Sequence, residues 1–239
     1  EGVFQYHHHN IHLIDLPGTY SLTANSPEEV IAREYILHDK PDLVIAVVSA
    51  ANLERSLYLV SELIALPIPL IVALNMMDVA KMEGIEVNAT VLQAALGVPV
   101  VPLVATHPHS AINLLEIIEK HLQGNYANLK PSLPEIRADH RELVDQIKML
   151  IQDSLPAEYP VGWTVTKLLE GDVEIEKLVK QSLPPEQWKN VSDILKEHDD
   201  SYLAIASGRY EWIGRMIRAA VQRPRAGQIS VTDRLAVVG

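Results

Sequence analysis

Asp15 and Gly18 are the first residues whose types and spacing could do chemistry, in the stretch Asp15-Leu16-Pro17-Gly18-Thr19. An aspartate that ends a strand can hold Mg²⁺ through a water molecule. A glycine amide three residues later can approach a terminal phosphate, because no Cβ blocks it. A strand that ends in an ordinary Pro-Gly turn would have the same sequence. The stretch therefore leaves two interpretations open, a phosphate site with Asp15 as the Mg²⁺ residue and a simple turn.

A second arrangement, Asn75-Met76-Met77-Asp78, follows an apolar run. A carboxylate placed here can accept hydrogen bonds from the ring N1–H and the exocyclic amine of guanine, while the Asn75 amide ties the base to nearby loops. Adenine presents an acceptor where guanine presents a donor, so a buried Asp78 would discriminate between them on the order of a thousandfold. The alternative is structural: Asn75 ends a strand and Asp78 caps the next helix.

A third position, Val104-Ala105-Thr106, follows the next apolar run, and the Ala105 amide could donate to the guanine carbonyl oxygen. Each of the three arrangements comes directly after a predicted strand. Because open α/β sheets bind ligands at the carboxyl ends of their strands, this placement favours a nucleotide site.

Histidines crowd the first turn of the chain, at His7, His8, His9 and His12. Imidazole is a common metal ligand, but successive residues of a β-hairpin point to opposite faces, so only His7 and His9 would share one. The pattern permits a metal site on these two residues and favours a solvated, histidine-rich turn.

The hydrophobic pattern predicts an α/β fold that positions these residues. Residues 1–6 and 11–14 are expected to form a β-hairpin whose second strand is buried. Ser26 with Glu29 forms a capping box that opens a helix through His38. Continuous apolar runs predict strands buried on both faces of a parallel sheet, at 43–48, 69–74 and 98–103. Further helices are predicted at 53–66, 88–96 and 111–122, with a short one after Asp78. This alternation is typical of a doubly wound α/β sheet.

Composition excludes several classes of protein. The 239 residues are 48% hydrophobic, enough for one large or two modest domains. A net charge of −11 opposes binding to a nucleic-acid backbone, so no nucleic-acid partner is expected. The chain has no cysteine, which excludes disulfides and thiolate chemistry. Its longest uncharged apolar run, residues 63–77, is shorter than the roughly 20 residues that a membrane span needs.

After Gly124 the pattern becomes helical. Ser132 and Glu135 are predicted to cap a helix whose apolar positions fall on one stripe. Further helices are expected at 160–170, 173–181, 185–196 and 202–222. Three tryptophans are expected to pack in a shared core, namely Trp163, Trp188 and Trp212. The pattern predicts an all-α unit of about five helices.

Several stretches together resemble the cytoplasmic part of the ferrous iron transport protein B (FeoB) family. They are DLPGTYSL at 15–22, SPEEVIARE at 26–34, NLERSLYL at 52–59, ALNMMD at 73–78, LLEGD at 168–172 and the segment 206–218. The resemblance covers essentially the whole chain. It implies a P-loop GTPase-like, Ras-like doubly wound sheet in residues 1–124 and an all-α helical subdomain in 125–225. Residues 226–239 would be a linker toward a transmembrane domain.

The resemblance also implies a function. The chain would be the GTP-binding module of a ferrous iron (Fe²⁺) transporter on the cytoplasmic face of the inner membrane. It would bind GTP or GDP with Mg²⁺. Residues 15–18 resemble the third G-protein motif, 75–78 the fourth and 104–106 a loose form of the fifth, while 19–25 would form the second switch. The implied partners are a guanine nucleotide and the membrane domain of the same protein, and a homo-oligomer is left open.

Two features depart from what a G protein needs. The family has a GxxxxGK[S/T] loop that cradles phosphates, whereas the sequence contains neither Gly-Lys-Ser nor Gly-Lys-Thr. The chain is therefore either a fragment that lacks this loop or a degenerate, non-catalytic interaction module. Residue 19 is threonine and not the glutamine that orients water in Ras-type proteins. Hydrolysis in the intact protein is expected to be slow, and this chain by itself is expected to be inactive.

Overall fold

The first half of the chain alternates strands and helices around a parallel sheet. The computed structural model describes residues 1–24, 26–136, 138–198 and 200–223, without the side chains of residues 138 and 139. The elements of this half are β1 (Gly2–Tyr6), β2 (His9–Leu13), α1 (Pro27–Asp39), β3 (Val44–Ser49), α2 (Leu53–Leu63), β4 (Leu70–Asn75), α3 (Met77–Met82), β5 (Glu86–Val87), α4 (Ala89–Leu96), β6 (Val100–Pro102) and α5 (Pro108–Leu122). The second half contains α6 (Ala138–Ile151), α7 (Val161–Leu169), α8 (Val173–Ser182), α9 (Pro185–Glu197), α10 (Ser201–Ala220) and β7 (Val221–Gln222).

The central sheet has the order β3-β4-β6, and all three strands are parallel. Alternate side chains of each strand face opposite sides. Ile71 of β4 packs with Val101 and with Ile118 of α5 on one side. Val72 and its neighbours on the other side join a larger core that also contains α1, α2 and α4. Helices on both faces of a parallel sheet confirm the doubly wound α/β prediction.

The hairpin of β1 and β2 forms as predicted, but its second strand is not buried. Among the described residues β2 pairs only with β1, and Leu13 is 52% exposed. The backbone of β2 is paired along one edge by β1. The side chains of β2 are mostly exposed, so the apolar alternation did not imply burial here. His9 and Asn10 are strand residues, and the turn lies at His7 and His8.

The helical half shares its core with the first half. Trp212 is fully buried, Trp163 nearly so, and Trp188 packs at the edge of the same core, which confirms the predicted tryptophan core. Helix α10 packs against α2 and α4, and β7 pairs with β5. The predicted helix 202–222 therefore ends at Ala220, because the next two residues pair as a strand. In the part of the chain that the structure describes, no helix combines the length and apolarity needed to cross a bilayer.

The helix start predicted at Ser132 and Glu135 is wrong. Helix α6 begins at Ala138, and residues 131–136 have no regular structure. Pro134 disfavours helical backbone in the residue before it. Tertiary hydrogen bonds then hold the segment: the Ser132 amide donates to the Leu96 carbonyl at 2.9 Å, and Trp212 Nε1 donates to the Ser132 carbonyl at 2.9 Å.

Gly208 of α10 allows this segment to approach the helix. A Cβ at Gly208 would lie 2.3 Å from the Glu135 carbonyl oxygen, a backbone atom. Gly208→Ala is therefore expected to lower the free energy of unfolding by about 1–3 kcal/mol, measured by urea denaturation.

Gly214, six residues further along the same helix, provides the control. A Cβ there would meet only the flexible Arg218 side chain, at 3.0 Å. Gly214→Ala should leave stability unchanged or raise it by up to about 1 kcal/mol, because alanine is the better helix former. Equal effects of the two substitutions would contradict the close approach at Gly208.

Candidate functional site

Two of the three predicted arrangements meet at the carboxyl edge of the parallel sheet. Strand β4 ends at Asn75 and β6 ends just before Val104. The Leu103 amide donates to the Leu74 carbonyl at 2.9 Å, which aligns the two strand ends. Asn75 Oδ1 then accepts a hydrogen bond from the Ala105 amide at 3.0 Å. The Asn75 side chain therefore joins the two loops, as the sequence pattern suggested.

The turn after Asn75 sets the position of Asp78. Met76 has φ 62° and ψ 35°, in the left-handed region, and it is the N-cap of α3. Such a conformation in a residue other than glycine is uncommon, and it is often found at functional sites. Asp78 lies in the first turn of α3 and is exposed, and it makes no capping hydrogen bond. Asp78 is therefore not the cap of α3, which was the structural alternative for this residue.

The Asp15-Leu16-Pro17-Gly18-Thr19 stretch does not follow a strand of the central sheet. It follows β2, has no regular secondary structure, and exposes Asp15 and Gly18. Among the described residues no hydrogen bond joins it to residues 75–78 or 104–106. Leu16 packs against the large core and fixes the start of the stretch. Thr19 Oγ1 donates to the Ser21 carbonyl at 2.5 Å, so the threonine side chain closes a local turn.

Buried carboxylates from two other parts of the chain hold the segment that follows Thr19. The Leu22 amide and the Thr23 hydroxyl both donate to the Glu62 carboxylate of α2. The Ala24 amide donates to Asp172 Oδ2 at 3.1 Å, from the helical half. The backbone of residues 22–24 is therefore fixed by side chains that are distant in sequence. Asn25, the last residue of the predicted switch, lies outside the described residues.

Glu62 belongs to a buried network of charges. Lys167 and Arg209, both from the helical half, form ion pairs with Glu62 and with Glu170. Burial by itself raises the pKa of Glu62, but Lys167 and Arg209 outweigh it and hold that pKa below its ordinary value. Glu62 is therefore a carboxylate at neutral pH and a strong acceptor for the Leu22 amide.

Comparison with known proteins identifies the chain. The family description "Ferrous iron transport protein B" matches residues 1–118, and "FeoB cytosolic helical domain" matches residues 138–222. The cytosolic domain of T. maritima FeoB in its GMPPNP form is 30% identical, with a TM-score of 0.75, and the match covers 92% of this chain and 84% of that one. The chain belongs to the FeoB family.

Further relatives agree with this assignment. The cytosolic domain of L. pneumophila FeoB has a TM-score of 0.76 at 28% identity, over 93% of this chain and 84% of that one. The Fe(2+) transporter FeoB of Salmonella typhimurium is 37% identical over 89% of this chain and 27% of its own length. The chain thus spans about a quarter of that transporter and most of the solved cytosolic domains. Its fold is a P-loop GTPase-like α/β domain followed by a helical domain.

The buried charges were missed by sequence reasoning. The side chains of Lys167 and Glu62 are both fully buried. Charged residues are mostly exposed in proteins, so a sequence pattern by itself predicts both side chains at the surface. Glu170 and Asp172 belong to a stretch that resembles FeoB, which marked them as residues of interest. That stretch does not show which distant residues pair with them. The pairs Arg33–Asp172 and Glu62–Lys167 join residues more than 100 positions apart in the FeoB chain.

Helix α1 of this FeoB chain is joined to the helical half at two points. Arg33 Nη1 donates to Asp172 Oδ2 at 2.9 Å, and both side chains are buried. At the next residue of α1, the Tyr159 hydroxyl donates to Glu34 Oε2 at 3.2 Å. Burial and the Glu34 carboxylate raise the pKa of Tyr159 to about 12.

This shift predicts a loss of stability at high pH. Folded Tyr159 keeps its proton up to about pH 12, whereas an unfolded tyrosine loses it near pH 10.0. The stabilising contribution is therefore complete below pH 10.0 and is lost as the pH rises toward 12. Between about pH 9 and about pH 11, the free energy of unfolding of the wild-type chain should fall more than that of Tyr159→Phe. Parallel losses in the two proteins would contradict the prediction.

The histidine-rich turn does not form a metal cluster in the described structure. His7 Nδ1 lies 3.0 Å from Glu119 Oε2 of α5, so this side chain joins the hairpin to α5. In the described ranges no three histidine, aspartate or glutamate side chains come together as metal ligands would. The geometry favours a structural role for His7.

Proposed function

We propose that this chain is the guanine-nucleotide-binding module of a ferrous iron transporter and acts on the cytoplasmic side of the membrane. It binds GTP or GDP with Mg²⁺ and couples the nucleotide state to a membrane domain of the same protein. Nucleotide binding is supported by similar solved structures, namely the T. maritima cytosolic domain in GMPPNP and GDP forms and the S. thermophilus G domain bound to GDP. The curated relatives, which are Fe²⁺ transporters, support the transport role.

The observation that carries the proposal is the hydrogen bond between Asn75 Oδ1 and the Ala105 amide at 3.0 Å. It brings the Asn75–Asp78 turn and the Val104–Thr106 loop to one edge of the sheet, where an exposed Asp78 is free to meet a base. Guanine offers two N–H donors to a carboxylate, and Asp78 accepts both. The carbonyl oxygen of guanine then competes for the Ala105 amide, so base binding rearranges the Asn75 bond.

The phosphate end of the nucleotide is assigned to Asp15 and Gly18. Asp15 is exposed, and Gly18 has open space where a Cβ would lie, so a phosphate oxygen can approach its amide. Mg²⁺ is commonly held by one or two carboxylates together with nucleotide phosphates and water, and a single exposed Asp15 fits that pattern. The bound ion would neutralise the phosphate charge. The switch in this proposal is residues 19–25, whose contacts with Glu62 and Asp172 must break when it moves.

Titration calorimetry of this chain with GDP and Mg²⁺ tests the proposal, with ADP as the matched control. We expect GDP to bind at least about tenfold more tightly than ADP, since adenine cannot satisfy the Asp78 carboxylate. The phosphate loop of the family is not in the sequence, so the GDP affinity should be modest. Equal binding of GDP and ADP would contradict the base assignment.

The absence of a Gly-Lys-Ser or Gly-Lys-Thr sequence favours one alternative, a non-catalytic interaction module on a G-domain scaffold. This alternative predicts that neither nucleotide binds, in this chain or in the intact protein that carries it. Guanine-selective binding by the intact protein would exclude it.

A further inference from the structure

A cavity of about 530 Å³ lies between the segment after Gly18, the start of α2 and the end of the helical half. Its volume is within the usual range for small-molecule sites. None of residues 15–18, 75–78 or 104–106 lines it, so it is separate from the proposed nucleotide site. The side chains that shape it are Tyr20, Glu54, Arg55, Tyr58, Tyr210 and Arg223.

Three tyrosines give the cavity aromatic walls. The rings of Tyr58 and Tyr210 have centroids 5.9 Å apart and are tilted by 50°. Arg209 donates to the Tyr58 hydroxyl at 3.2 Å, so this ring is fixed by the buried charge network. Tyr20 and Tyr210 are 59% and 61% exposed. Exposed ring faces around a cavity are suited to stacking on a flat ligand.

The cavity also has a surplus of positive charge. The Arg55 guanidinium lies 3.8 Å from the centroid of the Tyr20 ring, and no carboxylate in the described residues forms an ion pair with it. Arg223 has only a long, exposed pair with Glu54, at 3.8 Å. Two guanidinium groups thus face one carboxylate in a protein whose net charge is −11. Such a local surplus of positive charge attracts anions. One guanidinium group can donate two parallel hydrogen bonds to the oxygens of a phosphate.

We propose that this cavity binds an organic anion with a flat ring, of the nucleoside monophosphate class. The ring stacks on Tyr20 and Tyr210, and the phosphate is held by Arg55 and Arg223. Because Tyr20 lies two residues before Leu22, whose amide donates to Glu62, the ligand holds this segment in the described conformation.

Calorimetric titration of the chain with AMP tests the proposal. AMP is chosen because the guanine pocket proposed around Asp78 rejects adenine. We expect a Kd on the order of 0.1 mM, and at least tenfold weaker binding of adenosine or inorganic phosphate, since each offers only half of the recognised chemistry. Arg55→Gln should weaken AMP binding about tenfold by removing charge-assisted hydrogen bonds. Arg218→Gln, at an exposed arginine of α10 outside the cavity, should leave it unchanged.

Several outcomes would overturn the proposal. AMP binding weaker than about 1 mM would do so, as would equal losses in Arg55→Gln and Arg218→Gln. Binding that survives Arg55→Gln but is abolished by Asp78→Asn would place AMP in the base pocket. Phosphate that binds as tightly as AMP would show that the tyrosine walls take no part. The Arg55→Gln and Asp78→Asn variants separate AMP in the cavity from AMP in the base pocket, so a failure of the cavity and a failure of the proposed function are distinguishable.

Discussion

Replacing Asp78 with asparagine is expected to lower the affinity of the intact protein for GDP by about a thousandfold, or ~4 kcal/mol. The substitution removes the carboxylate that accepts from the N1–H and the exocyclic amine of guanine, and it places an amide donor against a donor of the base. Xanthine carries a carbonyl oxygen where guanine carries the amine. Xanthosine diphosphate should therefore bind the Asp78→Asn protein better than GDP, which competition titrations would measure.

Glu83, at the end of the same short helix, supplies the control. It is exposed and lies at the C-cap of α3, so Glu83→Gln makes the same change of charge away from the base. GDP affinity in Glu83→Gln should stay within about twofold of the wild type, because Glu83 has no proposed contact with the base and acts on it only through solvent, which screens its charge. An Asp78→Asn protein that keeps its preference for guanine would show that Asp78 does not read the base.

Replacing Lys167 is expected to have the second large effect, which is a loss of stability. Its side chain is fully buried and forms ion pairs with Glu62 and Glu170. Lys167→Met keeps much of the volume but leaves two buried carboxylates with Arg209 as their remaining cation. We expect the free energy of unfolding to fall by about 3–5 kcal/mol, measured by urea denaturation. The segment at Leu22 should also become more exposed to hydrogen exchange, because Glu62 then lacks one of the two cations that position it.

Lys177 is a closely matched control. It pairs with Glu174 three residues earlier at 2.8 Å, but its side chain is 60% exposed. Lys177→Met should change stability by less than about 0.5 kcal/mol. Combining Lys167→Met with Glu62→Gln should cost less than the sum of the single changes, because the two residues are partners. Additive losses, or a Lys167→Met effect no larger than that of Lys177→Met, would refute the role of the network.

Most of the fold followed from local rules. The Ser26 side chain accepts from the Glu29 amide at 3.3 Å, so the capping box placed the start of α1 correctly. The uninterrupted apolar runs identified β3 and β4, because strands covered on both faces need no polar positions. Asn75 was placed at a strand end by the same reasoning, and its bond to the next loop followed the order of the parallel strands. Helix ends were less accurate, since Pro108 begins α5 three residues before the predicted start.

Errors arose where distant parts of the chain decide local structure. Ser132 and Glu135 have the spacing of a capping box, yet bonds to Leu96 and Trp212 hold Ser132 outside any helix. The alternation of apolar and polar residues in β2 is typical of a half-buried strand. Whether a face of the strand is buried depends on the elements packed against it, and the sequence of the strand does not specify these elements.

The sequence by itself determined the order of the elements, the two loops at the carboxyl edge of the sheet and the family of the chain. These depend on periodicity and on short motifs, which act over a few residues. Only the tertiary structure decided that Glu62, Lys167 and Arg209 are buried together and that they hold the backbone at Leu22. A buried charge is stable only with its partners in place, and Glu62 lies more than 100 residues from Lys167, so the two meet only in the folded chain.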